Sequence, residues 1–158
     1  MSDLKVLVSA PIDTNLYSLL VSHLSLHEPK VKLCGIVTLN LLSLRGIKRE
    51  YKRLGRGLVA KVLRRCSSVL QKASQAAEVE VPCSEYGLQH TSLKRMARDH
   101  EIPYLKVVDP NDRNSIEFIK KCKPDLILAV GSVIMRRSFL AVPAVGVSNV
   151  HMGILPEY

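Results

Sequence analysis

The sequence predicts an α/β fold with a mostly parallel central sheet and helices on both faces. Residues 126–130, Leu-Ile-Leu-Ala-Val, form an unbroken apolar run after a Lys-Pro-Asp turn, which is typical of a strand that is covered on both sides. Strand-like and helix-like segments alternate along the chain, and this alternation favours a Rossmann-like arrangement of parallel strands joined by helices. The predicted strands lie near residues 5–9, 32–38, 103–107, 125–130 and 145–150.

A first helix is predicted over residues 15–26, directly after the first strand. Asp13 or Thr14 is the expected N-cap, because both side chains can accept a hydrogen bond from the first helical turn. The turn at residues 10–15 contains no glycine, so it lacks the glycine-rich pattern that binds the pyrophosphate of a dinucleotide, and we expect no such site. The leucines expected on the inner face of the helix are Leu16, Leu19, Leu20 and Leu24.

Two later segments also have helical patterns. A helix over residues 93–100 has Thr91 or Ser92 as its expected N-cap, and a further helical stretch is predicted to open at Gly131, directly after the strand at 125–130. The side chains expected to face inward on the earlier helix are Leu93, Met96 and Ala97. The apolar residues of the later stretch are Ile134, Phe139 and Leu140.

The composition indicates a single cytoplasmic domain that comprises residues 1–158. With 47% hydrophobic residues, the chain is long enough for one domain with a sizeable core. No apolar run approaches the roughly 20 residues that span a bilayer, and the N-terminus lacks the pattern of a secretory signal peptide. The four cysteines are dispersed, which favours free thiols over a metal site. They are Cys34, Cys66, Cys83 and Cys122.

A long basic segment at residues 41–77 is predicted to be helical and interrupts the alternation of strands and helices. It holds 10 of the 23 lysine and arginine residues and accounts for most of the formal charge of +9. Gly55 and Gly57 weaken its centre, so two shorter helices fit the pattern as well as one does. The segment either packs on the domain as a solvated amphipathic helix, or it contacts RNA, substrate phosphates or an anionic membrane surface.

A second apolar run, at residues 142–150, leads into a pair of polar side chains. Asn149 and His151 are two positions apart, so on a strand they point in the same direction. A side-chain amide and an imidazole would then meet at the carboxyl end of a strand, where ligands bind in open α/β sheets. The loop at 152–156 contains a glycine for close backbone approach and a proline that fixes its exit.

The stretch SNVHMGILPEY, preceded by PDLILAVGSVIM, resembles the signature of the folate-dependent formyltransferases. This family includes the methionyl-tRNA, glycinamide-ribonucleotide and amino-sugar formyltransferases. The positions that match its motif are Asn149, His151, Leu155 and Pro156. The resemblance includes the short matches at 100–103 and 124–126. It covers residues 4–38 and 90–158, and the basic segment lies outside it.

The resemblance implies transfer of a formyl group from 10-formyltetrahydrofolate to a primary amine. The expected acceptor is first of all an amino-sugar nucleotide, a phosphate-bearing small molecule, and methionyl-tRNA is the other acceptor considered. Asn149 and His151 would be the catalytic residues, because an amide and an imidazole can stabilise the oxyanion of a tetrahedral intermediate. No metal is expected. The pterin would be held by backbone groups and apolar side chains of Val130, Gly131, Ile134, Met135, Ile154 and Leu155.

One part of the family's pattern is absent from the sequence. The resemblance implies a third catalytic residue, an aspartate downstream of the Leu-Pro loop, and no aspartate of this chain takes that place. We therefore expect a fold that is incomplete at its C-terminus, in which a further segment or a partner chain completes the site. The alternative is a non-catalytic remnant of the fold that binds a folate or another anion.

Overall fold

The structure, a computed structural model, describes residues 3–40, 87–131 and 134–150, and the predicted basic segment at 41–77 lies outside these ranges. The described strands are β1 (Leu4–Ala10), β2 (Val31–Leu39), β3 (Tyr104–Val107), β4 (Leu126–Val130) and β5 (Gly146–Val150). They form one sheet in the order β3-β2-β1-β4-β5. Each of the five predicted strands is present, and no boundary differs from the prediction by more than one residue.

All neighbouring strands of this sheet run parallel, which confirms the predicted α/β fold. Strand β1 is central, since Val8 lies in register with Ile36 of β2 on one side and with Leu128 of β4 on the other. Because the strands are parallel, their carboxyl ends all lie along one edge of the sheet, here called the carboxyl edge.

Helices cover both faces of the sheet, as predicted. Leu7 and Val8 follow one another on β1 and are both fully buried, but they belong to different core clusters, as expected of a strand that is packed on both sides. The described helices are α1 (Leu16–His27), α2 (Leu93–Asp99), α3 (Arg113–Cys122) and α4 (Arg137–Leu140). The first cluster contains Val8 and side chains of α1 and α2, and the second contains Leu7 and side chains of α3 and α4. No helix in the described ranges is long and apolar enough to cross a membrane.

Helix α1 differs from the prediction in its cap and in its buried face. The N-cap is Asn15 rather than Asp13 or Thr14, and its side chain accepts hydrogen bonds from the backbone N–H (2.9 Å) and the hydroxyl (2.8 Å) of Ser18. Leu24, predicted to face the core, is 65% exposed. Three serines take the innermost positions with Leu19, and their small size allows the helix to pack closely on the sheet. They are Ser18, Ser22 and Ser25.

Helix α2 agrees with the prediction. Its N-cap is Ser92, whose hydroxyl accepts from the backbone N–H of Arg95 (3.4 Å). The three side chains predicted to face inward are all buried in the first cluster; they are Leu93, Met96 and Ala97.

The helical stretch predicted to open at Gly131 begins later, at Arg137. The segment at 134–136 is not helical, and two of its backbone groups are bound by the side chain of Asn111. A helix would use backbone N–H and C=O groups for its own hydrogen bonds, so the hydrogen bonds to Asn111 compete with helix formation in this segment. Of the apolar side chains in this stretch, Phe139 is buried, whereas Leu140 is 47% and Ile134 is 82% exposed.

Cys34 and Cys122 are free thiols, as predicted, and the other two cysteines, Cys66 and Cys83, lie outside the described residues. Burial raises the pKa of the Cys34 thiol to about 11, and the neighbouring thiol of Cys122 acts in the same direction. Cys34 is therefore neutral at physiological pH and packs against the second cluster as a small apolar side chain.

Gly35 of β2 lies where the core leaves no room for a side chain. A β-carbon at this position would lie 2.9 Å from Sγ of Cys122 and 3.2 Å from Cδ1 of Leu7. We therefore expect Gly35→Ala to lower the free energy of unfolding by about 1–3 kcal/mol, the usual cost of overpacking a core. Urea denaturation followed by circular dichroism measures this loss.

The companion variant combines Gly35→Ala with Cys122→Ala and so removes the nearer of the two crowding side chains. In a double-mutant cycle the two substitutions should couple favourably, so that the double variant loses less stability than the two single variants added together. Strictly additive losses would show that Cys122 does not restrict position 35.

Candidate functional site at the carboxyl edge

Asn149 lies near the carboxyl end of β5, in register with Ala129 of β4. Val147, two positions earlier, packs against the second core cluster. Residues two apart on a strand project from the same face, so the Asn149 side chain projects from the face of the second cluster. The residue is exposed, which leaves its amide accessible to a ligand at the carboxyl edge.

The end of β4 comes close to the turn after β1. Val130 ends β4 in register with Val150 and is 6% exposed. Gly131 follows with a φ of +99°, a region that residues with a β-carbon rarely adopt. A β-carbon there would also lie 3.2 Å from Cγ of Pro11, so the glycine permits the close approach of the two turns.

The side chain of Asn111 binds the backbone of the segment at 134–136. Its Nδ2 donates to the carbonyl oxygen of Ile134 (2.9 Å), and its Oδ1 accepts from the N–H of Arg136 (2.6 Å). Met135, between them, packs partly buried against the second cluster. The segment is therefore held both by a carboxamide and by apolar packing.

Asn111 is itself held by the turn between β3 and α3. Oδ1 of Asp109 accepts from the backbone N–H and from Nδ2 of Asn111, both at 2.9 Å. The next residue, Asp112, is the N-cap of α3 and accepts from the N–H of Ser115 (2.7 Å). The role of Asn111 was not predicted, because its partners lie 23 and 25 residues further along the chain. The local sequence around Asn111 indicates only a turn.

Asp13, in the turn after β1, joins that turn to helix α2. Its Oδ2 accepts from the hydroxyl of Ser92 (2.5 Å), and its Oδ1 accepts from the backbone N–H of Lys94 (2.8 Å). The Asp13 carbonyl accepts from the N–H of Leu93 (3.0 Å). The carboxylate thus acts as a second cap of α2, which explains why Asp13 does not cap α1.

Tyr104 extends this network to β2. Its hydroxyl donates to Oδ1 of Asp13 (3.2 Å), so it accepts from the hydroxyl of Thr38, which lies 2.6 Å away. Burial, and then the nearby charge of Asp13, raises the pKa of the Tyr104 phenol, although the bond from Thr38 opposes this. The phenol therefore stays protonated and remains a donor.

An open cavity lies beside the Asp13 network, on the face of the first cluster. It has a volume of about 620 Å³ and is lined by Ser92, Lys94, Arg95, Arg98, Ile102 and Tyr104. Its three cationic residues are exposed, and Asp99 balances part of their charge through Arg98 (2.9 Å) and Arg95 (3.8 Å). The remaining positive charge suits an anionic group.

The structure brings some of the predicted site residues together. Val130, Gly131 and Asn149 lie where β4 and β5 end, and Ile134 and Met135 belong to the segment that follows β4. The Ile134 side chain is 82% exposed, so Ile134 contributes to this edge through its backbone. Three other predicted site residues lie outside the described ranges; they are His151, Ile154 and Leu155.

Part of the chain is similar to methionyl-tRNA formyltransferases, although no family model matches it. A stretch of 69 residues, 43% of this chain, is 30% identical to the enzyme of Thermotoga maritima and covers 22% of that protein. A stretch of 67 residues, 42% of this chain, is 34% identical to the enzyme of Geobacter sulfurreducens and covers 21% of it. The enzyme of Clostridioides difficile is also 34% identical over 67 residues, which cover 22% of its length.

These similarities support a formyltransferase family for the chain, as the motif around Asn149 predicts. The matched stretches span about a fifth of the length of these curated relatives.

Asp13→Asn tests the link between the turn after β1 and helix α2. The substitution removes the negative charge and one of the two oxygens that serve three donors. We therefore expect the free energy of unfolding to fall by about 1–3 kcal/mol, since hydrogen bonds to charged groups are among the strongest. Guanidinium denaturation measures this change.

Asp3→Asn is the matched control, because it makes the same chemical change at an exposed residue before β1. It should change the free energy of unfolding by no more than about 0.5 kcal/mol. Equal losses in the two variants would contradict the network assigned to Asp13.

Proposed function

We propose that the protein transfers a formyl group from 10-formyltetrahydrofolate to a primary amine. The observation that carries the proposal is the position of Asn149, which is exposed at the carboxyl edge, on the strand next to β4, and β4 ends at Val130 just before the Gly131 turn. Ligands of open α/β sheets bind at such edges. The similarity to methionyl-tRNA formyltransferases over 43% of the chain supports the same type of reaction.

In this reaction the amine nitrogen attacks the formyl carbon, and a tetrahedral species with a negatively charged oxygen forms. The bond between the formyl carbon and the folate nitrogen then breaks, and one proton passes from the amine to that nitrogen. Asn149 would donate a hydrogen bond from its side-chain amide to the oxyanion. His151 would donate a second hydrogen bond and carry the proton, because an imidazole gains and loses a proton near neutral pH.

The folate ring would lie against the turn after β4. Val130 and Gly131 would bring their backbone to one side of the ring, together with the segment at 134–136. Ile154 and Leu155 would supply apolar contacts from the loop that follows His151. A planar heterocycle suits a mostly apolar pocket in which a few fixed polar groups set its orientation.

Methionyl-tRNA is the acceptor that we favour, and an amino-sugar nucleotide is the second candidate. The relatives from Thermotoga maritima and Geobacter sulfurreducens are both named methionyl-tRNA formyltransferases. A phosphate-rich acceptor also suits a chain with a formal charge of +9 and a cavity lined by three cationic side chains. Clustered lysine and arginine residues bind phosphates and release counterions.

Formyl transfer by the full-length protein tests the proposal. With 10-formyltetrahydrofolate as donor, and methionyl-tRNA or a nucleotide amino-sugar as acceptor, we expect a formylated product from at least one acceptor. Asn149→Ala and His151→Ala should each lower the rate by about 100-fold or more, because each removes a donor to the oxyanion. The melting temperature should change little in either variant.

Ser148→Ala is the matched control, because Ser148 is exposed beside Asn149 on β5 and projects from the opposite face. Its rate should equal that of the unchanged protein. A protein that binds tetrahydrofolate but formylates no amine would support the alternative, a non-catalytic folate-binding remnant. A protein that neither binds folate nor transfers a formyl group would end the proposal.

A further inference from the structure

We propose that Asn111 is a positioning residue for the folate ring and acts through the backbone on either side of Met135. The inference rests on the proposed function, which supplies the ligand. Asn111 lies in the turn between β3 and α3. Its side chain does not touch the ligand, but it fixes the orientation of the backbone groups that bind the ligand.

Asn111 fixes both peptide groups that flank Met135. The carbonyl of the peptide before Met135 accepts from Nδ2 (2.9 Å), and the N–H of the peptide after it donates to Oδ1 (2.6 Å). In a planar trans peptide the C=O and the N–H point in opposite directions. The N–H and the C=O of Met135 itself therefore point away from Asn111, towards the same side of the segment.

The N–H and the C=O of Met135 form a compact hydrogen-bonding edge for a planar heterocycle. Reduced pterins contain a cyclic amide next to an amidine, so they present donors and acceptors side by side in the plane of the ring. No residue in the described ranges is hydrogen-bonded to the N–H or the C=O of Met135. The Met135 side chain packs against the second cluster, which limits rotation of the edge. Asn149 projects from the same face of the sheet, so the edge and the proposed oxyanion donor lie on one side of it.

The side chain at position 111 has to donate and accept at the same time. Asp109 accepts from Nδ2 of Asn111 (2.9 Å) and so directs the amide nitrogen towards the Ile134 carbonyl. An aspartate at position 111 could still accept from Arg136, but its second oxygen would face the Ile134 carbonyl and the Asp109 carboxylate. Asn111→Asp is therefore nearly isosteric and removes the donating half of the contact.

Calorimetric titration of the full-length protein with tetrahydrofolate tests the inference. Asn111→Asp should raise the dissociation constant about tenfold or more, a change equivalent to at least one lost hydrogen bond. In the transfer assay the KM for 10-formyltetrahydrofolate should rise, while the KM for the amine acceptor stays the same. A general loosening of the structure would change both constants. Asn111→Ala, which adds no charge beside Asp109, is the second variant and should weaken folate binding in the same way.

Asn114→Ala is the matched control, because Asn114 lies exposed in the first turn of α3. It should leave the dissociation constant for tetrahydrofolate unchanged. Asn111 variants that fold and bind tetrahydrofolate as tightly as the unchanged protein would overturn the inference and leave the proposed function standing. An unchanged protein that binds no tetrahydrofolate would instead defeat the proposed function, and this inference with it.

Discussion

The turn after β1 constrains the whole carboxyl edge, because β1 is the central strand and its turn contacts both halves of that edge. On one side, the Asp13 carboxylate binds Ser92 and the first turn of α2. On the other side, Pro11 packs so close to Gly131 that a β-carbon there would lie 3.2 Å from it. The strand order β3-β2-β1-β4-β5 thus determines which loops can meet at the candidate site.

The two faces of the sheet differ in chemistry at this edge. The face of the second cluster carries Asn149 and the backbone segment at 134–136, which is bound by Asn111. The face of the first cluster carries the Asp13 network and the cavity with three cationic residues. In the proposed reaction the folate would bind on the face that carries Asn149, and the phosphates of the acceptor would bind on the face that carries the cationic cavity.

The strands could be predicted from the sequence because each depends on a local pattern. The run at 126–130 is apolar at every position, and a strand buried on both faces needs no other signal. The inner face of α1 was harder to predict, since a leucine stripe alone places Leu24 inside. The structure buries Ser22 and leaves Leu24 65% exposed. Which face of the helix lies against the sheet, and how closely, depends on tertiary packing, and a pattern of leucines alone does not show it.

Long-range hydrogen bonds explain most of what the sequence did not reveal. Asp13 is a plausible cap for the helix that follows it, but its partners come from α2, 79 and 81 residues further along the chain. The segment at 134–136 has a helical pattern of residues, but the structure has no helix there, and Asn111 binds its backbone. The positions of Val130, Gly131 and Asn149 could be predicted, because strand ends and a glycine turn are local features.

The proposed site places the folate ring on the backbone after β4. Hydrogen–deuterium exchange of the full-length protein, with and without tetrahydrofolate, tests this most directly. We expect slower exchange on ligand binding in peptides that cover residues 130–136 and 146–151, and unchanged exchange in peptides from α1. Slower exchange confined to residues 92–104, around the basic cavity, or unchanged exchange at 130–136 under conditions where calorimetry shows binding, would contradict it.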